Sequence, residues 1–129
     1  MSRPRRVAEL AGRTGIVNLT RGIVLATDVR WAANPWTRFL GLMGRADLPA
    51  GQALVFPGEK IIHTHFMRFA IDVVFYGPDG RVVALEHATA PWRLSKYHRT
   101  ASGVIELPSG TLRASGTEPG DQLSLPKRG

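Results

Sequence analysis

The chain has 129 residues, 43% of them hydrophobic, and a formal net charge of +7. That length fits one domain with a core of its own and excludes two domains of ordinary size. Cysteine is absent, which excludes a disulfide framework, thiolate-bound zinc and a cysteine nucleophile. The apolar runs are too short to span a membrane, and residues 1–10 lack the apolar stretch of a secretory signal. We therefore expect a soluble, cytoplasmic protein.

The positive charge is concentrated at the ends of the chain. Residues 1–21 contain five arginines and one glutamate, and residues 127–128 add two cations, whereas residues 22–126 hold ten basic and nine acidic side chains. Residues 1–14 show no sustained periodicity, so they predict a flexible basic tail before a single globular domain at 15–126. Charge on tails rather than on a folded face argues against specific nucleic-acid binding.

The first periodic segments are a strand and a helix. Apolar and polar residues alternate over 22–31, which is typical of a half-buried strand. Asn34 is a good N-cap, Pro35 suits the first helical position, and Gly44 suits the end, so a short helix is predicted near residues 35–43. Its apolar stripe comprises Trp36, Phe39, Leu40 and Met43.

The remaining chain is predicted to be β structure punctuated by glycine and proline turns. Its clearest feature is a hairpin whose loop is Gly77-Pro-Asp-Gly80. The sequence therefore predicts a mainly β (α+β) fold, a compact antiparallel sheet curled into a barrel or sandwich with the one short helix. The predicted strands are 53–56, 61–68, 71–76, 81–87, 104–107 and 122–125.

Two carboxylates lie inside apolar strands. Asp72 stands in the run 69–75, whose two faces are both apolar, and Glu106 stands in 104–107. Burying an unpaired charge is costly, so we expect Asp72 to be mostly buried and bonded either to an arginine or to backbone amides. If Asp72 and Glu106 converged they could act as a general acid and base. A purely structural role is favoured.

Histidines and arginines surround these acids in sequence. His63 and His65, two residues apart on a predicted strand, would share a face and could begin a metal site if His87, Asp72 or Glu106 completed it. Structural histidines are the favoured alternative, and no metal or cofactor is assigned. Arginines suit the pairing of buried carboxylates. The candidate polar cleft thus comprises Arg38, Arg45, His63, His65, Arg68, Asp72 and Glu106.

Residues 91–99 interleave aromatic and cationic side chains. Aromatics that stack and cations that meet phosphate are the components of an anion-binding or single-strand-binding loop. The alternative is a solvated loop whose aromatics pin it to the body, and this alternative is favoured. The candidate anion-binding residues are Trp92, Arg93, Lys96, Tyr97 and Arg99.

Five motifs in order resemble the family called domain of unknown function 192. They lie at 38–45 (Arg-Phe-Leu-Gly-Leu-Met-Gly-Arg), 62–75, 91–93, 104–110 and 120–121, and the resemblance covers about residues 23–125. It implies a compact, mostly β fold with a short helix and no established biochemical role. Many relatives carry export signals, which are not seen here, and commonly have proline where this chain has Ala70.

The leading interpretation is a non-enzymatic binding or accessory domain of a prokaryote, with a polar cleft near His63, Arg68 and Asp72. A small hydrolase or metal-assisted enzyme using His63, His65, Asp72 or Glu106 is the first alternative. A weak nucleic-acid binder acting through the basic tails and residues 91–99 is the second. No membrane partner is expected, and the sequence leaves the ligand, the protein partner and the oligomeric state open.

Overall fold

The computed structural model of the protein describes residues 14–32, 47–64 and 67–127. The helix predicted near 35–43 and the predicted tail, apart from Thr14, lie outside these ranges. Eight strands and one short helix are described: β1 (Ile16–Asn18), β2 (Ile23–Ala26), β3 (Asp28–Trp31), β4 (Gln52–Pro57), β5 (Ile71–Tyr76), β6 (Val82–Thr89), β7 (Gly103–Pro108), α1 (Thr111–Ser115) and β8 (Leu123–Ser124).

The strands form two sheets that pack as a sandwich, as predicted. One sheet has the order β2-β1-β8, and the other has the order β3-β4-β7-β5-β6. Every described pair is antiparallel except β3 with β4, which is parallel, with Val29 opposite Ala53. The expectation of an antiparallel sheet is therefore wrong at this edge. The 20 residues between the two strands are long enough for the crossover that a parallel pair needs.

The three inner strands of the five-stranded sheet, β4, β7 and β5, are buried on both faces. One face packs against the three-stranded sheet and α1, and its inward side chains include Val55, Val74, Ile105 and Leu107. The other face is covered by residues from the 60s and by Ala101. Strand β5 is fully buried along its length because its β-branched and aromatic residues fill both layers. The side chains of the second layer include Leu54, Phe56, Ile62, Met67, Val73, Phe75 and Val104.

The turn residues of the sequence predicted the β5–β6 hairpin correctly, whereas two of the predicted strands differ from the structure. The loop closes as expected, with Gly80 N–H donating to Gly77 O at 3.0 Å and Gly80 at φ 85°. The strand predicted over 22–31 is divided at Thr27, where the amides of Thr27 and Asp28 both donate to Gly51 O. The strand predicted over 61–68 is wrong, since its described residues form only one isolated bridge.

Helix α1 corrects the prediction that the chain remaining after the helix near 35–43 is all β structure. Its five residues contain no repeated apolar stripe, and Gly110 before it supplies no capping side chain. The cap comes instead from a carboxylate about forty residues earlier in the chain. None of the helices in the described ranges is long and apolar enough to cross a membrane.

Gly103 has no room for a side chain. It pairs with Tyr76 across β7 and β5, and a β-carbon at Gly103 would overlap the Tyr76 phenol ring. We expect Gly103→Ala to lower the free energy of unfolding by about 1–3 kcal/mol through overpacking, measured from the urea midpoint. In a Tyr76→Ala background the same change should cost markedly less. An equal cost in both backgrounds would rule out the steric explanation.

Candidate binding surface

The carboxylate of Asp72 links strand β5 to β6 and α1 through hydrogen bonds. Its side chain is buried, and its two oxygens accept three backbone hydrogen bonds: from Ala88 N at 2.8 Å, Gly110 N at 3.1 Å and Leu112 N at 2.8 Å. Ala88 is the bulge residue of β6, with φ 47°, and the other two amides belong to the start of α1. Of the two kinds of partner expected for Asp72, the described residues supply backbone amides. The carboxylate ties β6, β5 and α1 together.

Glu106 lies on the opposite face of the sheet from Asp72. The register pairs Glu106 with Val73 and Asp72 with Leu107, and residues paired in this way share a face. Glu106 is fully buried, and its neighbours on the strand's same face belong to the second core layer, whereas Asp72 faces α1. The two acids therefore do not converge on one reacting atom.

The polar set predicted around Asp72 is likewise separated. Ile62 and Met67 pack into the core layer on the Glu106 side, so the segment carrying His63 and Arg68 covers the face away from Asp72. His63 and Arg68 are both exposed. Asp72 instead lines a cleft of about 250 Å³ with His87, Ala88, Ser109, Gly110 and Arg113. Arg38, Arg45 and His65 lie outside the described residues.

The structure joins two groups of residues that are far apart in sequence. His63 and Leu94 form an antiparallel bridge, flanked by hydrogen bonds from Thr64 N to Arg93 O and from Ser95 N to Ile62 O, each 2.8 Å long. His63 of the predicted polar cleft is therefore a neighbour of the predicted anion-binding loop.

Hydrogen bonds to the backbone fix the 91–99 loop in place. Thr64 Oγ1 donates to Ala90 O and accepts from Arg93 N, while Ser95 Oγ accepts from Ile62 N. Lys60 closes the far end, where its carbonyl accepts from His98 N. These hydrogen bonds give the loop a defined backbone.

Large apolar side chains stand exposed on this fixed backbone. Trp92 is 58% exposed, Leu94 67% and Tyr97 62%. The alternative in which the aromatics pin the loop does not describe Trp92 and Tyr97, because most of their surface faces solvent. An exposed cluster of this kind is typical of an interaction site. We call residues 60–64 together with 91–99 the aromatic surface.

The aromatic surface is cationic. Arg93, Lys96 and Arg99 are all exposed, and no acidic residue occurs between Glu86 and Glu106. Within residues 14–32, 47–64 and 67–127, no three His, Asp or Glu side chains are grouped to hold a metal ion. The aromatic surface can therefore stack with a partner, make apolar contacts with it and attract anions.

A buried polar network near the chain ends was missed by the sequence analysis. Asp121 accepts hydrogen bonds from Arg21 Nε at 2.6 Å, Asn18 Nδ2 at 2.9 Å and Glu118 N at 3.0 Å. Burial by itself would raise the pKa of Asp121, but the bonds from Arg21 and Asn18 outweigh it and hold the pKa below its usual value. The only signal in the sequence is a carboxylate directly after Gly120.

Sequence comparisons agree with the resemblance noted above. A model of the DUF192 family, described as "Uncharacterized ACR, COG1430", matches residues 16–125. A UPF0127 protein of Pyrococcus furiosus is 38% identical over 112 residues, covering 84% of this chain and 95% of that protein. A UPF0127 protein of Thermococcus kodakarensis is 34% identical over 113 residues, covering 84% of this chain and 71% of that protein.

Two solved structures are similar to this fold. One is a proposed transcription regulator from Sinorhizobium meliloti, with a TM-score of 0.64 and 26% identity, covering 74% of this chain and 79% of that chain. The other is a protein of unknown function from Novosphingobium aromaticivorans, with a TM-score of 0.71 and 19% identity, covering 86% of this chain and 82% of that chain. At 19% identity, the second likeness concerns the fold alone.

Proposed function

Because the chain belongs to the DUF192 family, whose description assigns no activity, we propose from the geometry that it is a non-enzymatic binding domain acting through the aromatic surface. The observation that carries this proposal is the exposure of Trp92, Leu94 and Tyr97 on a hydrogen-bonded backbone. Trp, Tyr and Arg are the residues that most often dominate binding energy at interfaces. A rigid platform also loses little conformational freedom when a partner binds.

The arrangement of the acids supports binding over hydrolysis. A carboxylate pair must flank one reacting group, but Asp72 and Glu106 lie on opposite faces of a buried sheet. The hydrogen bonds that Asp72 makes with residues 14–32, 47–64 and 67–127 all come from backbone amides. The enzyme alternative would therefore need residues other than this pair.

The proposal is tested by titrating the ¹⁵N-labelled full-length protein with three anionic probes. These are oligothymidylate, a peptide of alternating glutamate and valine, and vesicles of phosphatidylglycerol. At least one probe should shift the amides of 60–64 and 91–99, and Arg93→Ser/Lys96→Ser should weaken its binding by about tenfold or more. The control Arg30→Ser/Arg113→Ser removes two exposed cations elsewhere and should bind normally. Shifts confined to the Asp72 cleft, or no shifts, would contradict the proposal.

A second candidate function is sequence-independent binding of single-stranded nucleic acid. It is favoured by the 26% identity to a protein described as a proposed transcription regulator. Trp92 and Tyr97 offer stacking platforms and Arg93 and Lys96 could meet phosphate. In this case oligothymidylate should bind best among the three probes, and its affinity should fall steeply as salt rises.

We further propose that the protein works in the cytoplasm of a prokaryote. Its relatives named above come from Pyrococcus, Thermococcus, Sinorhizobium and Novosphingobium, which supports a prokaryotic source. Fractionation of cells expressing the full-length protein tests the compartment. Recovery in the extracellular or membrane fraction would contradict this assignment.

A further inference from the structure

The backbone groups of Leu94, at the outer edge of the 91–99 segment, are placed to pair with another strand. In the bridge to His63, the hydrogen bonds are made by the two neighbours of Leu94, since Arg93 O accepts from Thr64 N and Ser95 N donates to Ile62 O. In an antiparallel pair of this type, the N–H and C=O of the central residue point to the other side. Neither group of Leu94 takes a hydrogen bond within the part of the chain that the structure describes. An exposed edge with such groups is a template for an added strand.

Side chains along this edge indicate what would pair there. The apolar side chains of Trp92, Leu94 and Tyr97 offer contacts for an incoming strand, and Arg93 and Lys96 add positive charge. A second copy of this chain would place like charges opposite one another, which is unfavourable. A strand carrying acidic residues would instead be complementary.

We propose that the aromatic surface binds an extended acidic peptide by strand addition along residues 93–97, with the Leu94 N–H and C=O bonding the peptide backbone and Trp92, in the turn before it, flanking the peptide. This inference rests on the proposed function of that surface and names its partner. In strand register Leu94 and Lys96 share one face and Arg93 and Tyr97 the other, so each face offers the peptide one large apolar side chain and one cation. A peptide of about five or six residues, the usual strand length, is sufficient.

The open backbone groups at this edge favour a peptide over a nucleic acid as the partner. Bases stack and phosphates pair with cations, but neither requires a peptide N–H and C=O in strand register. An edge that carries charge only to prevent aggregation would have no need of exposed apolar side chains beside it. The combination of edge, apolar side chains and cations fits a peptide best.

The test uses the full-length protein and blocked hexapeptides of alternating glutamate and valine. We expect binding, and at least about tenfold slower hydrogen exchange at the Leu94 amide in the complex, because that N–H becomes bonded. N-methylation of the two central peptide nitrogens, or replacement of glutamate by lysine, should each weaken binding by about tenfold or more.

A charge-reversed variant supplies a positive control. Arg93→Glu/Lys96→Glu should lose the glutamate peptide and bind the lysine peptide, and unchanged amide shifts in β5 and β7 would show that it is folded. Equal binding of the N-methylated peptide would overturn strand addition. If only oligothymidylate or vesicles bind this surface, the peptide inference fails while the proposed binding function stands. If no probe binds it, both fail.

Discussion

Replacing Asp72 with alanine is expected to lower the free energy of unfolding by about 3 kcal/mol. The change leaves the amide of Leu112 buried without its acceptor, and it removes the acceptor from the partly buried amides of Ala88 and Gly110. A buried donor left unsatisfied costs about 1–3 kcal/mol, and the two partly buried donors recover some of that by meeting water. The urea midpoint, at unchanged slope, measures the loss.

Two further variants show whether the hydrogen bonds are responsible. Asp72→Asn keeps one acceptor oxygen and replaces the other with an NH₂ group. The oxygen can face either Gly110 and Leu112 or Ala88, with the NH₂ group on the other side. The variant should therefore cost about half as much as Asp72→Ala. The control Asp28→Asn alters an exposed carboxylate that pairs with exposed Arg30 and should change stability by less than about 0.5 kcal/mol. A cost for Asp72→Ala no larger than for this control would show that Asp72 is not structural.

Replacing Asp121 with asparagine should remove part of the protein's sensitivity to acid. The folded-state pKa of Asp121 is lowered, so its ionised form contributes stability above the unfolded-state value of about 4. That contribution is lost as the pH falls through the folded-state pKa. The unfolding free energy of the unaltered protein should therefore decline more steeply below about pH 4 than that of Asp121→Asn.

At neutral pH, Asp121→Asn should also cost about 2 kcal/mol. Asn18 and the Glu118 amide lose a charged acceptor, but Arg21 is partly exposed and can be hydrated instead. The matched control is Glu118→Gln, because the Glu118 side chain also pairs with Arg21 but is 72% exposed. The control should have little effect at either pH. Parallel pH profiles for Asp121→Asn and the unaltered protein would contradict the assignment.

Some features of this protein are determined by the sequence alone. The hairpin of β5 and β6 is local, since its alternating apolar residues and its Gly77–Gly80 loop lie next to one another in the chain. The burial of Asp72 also follows from local sequence, because apolar residues on both sides of it predict a strand covered on both faces. The ordered motifs were sufficient to identify the family.

Other features depend on which distant segments meet. Asp72 and Glu106 look equivalent in sequence, but the register between β5 and β7 puts them on opposite faces, and a shift of one residue would reverse that. Helix α1 has too few residues to be stable or recognisable alone, and it depends on a carboxylate cap from β5. His63 and Leu94 are 31 residues apart, and no local periodicity encodes their pairing. A hairpin such as that of β5 and β6 arises from neighbouring residues, whereas faces, caps and binding surfaces arise from pairings that only the tertiary structure decides.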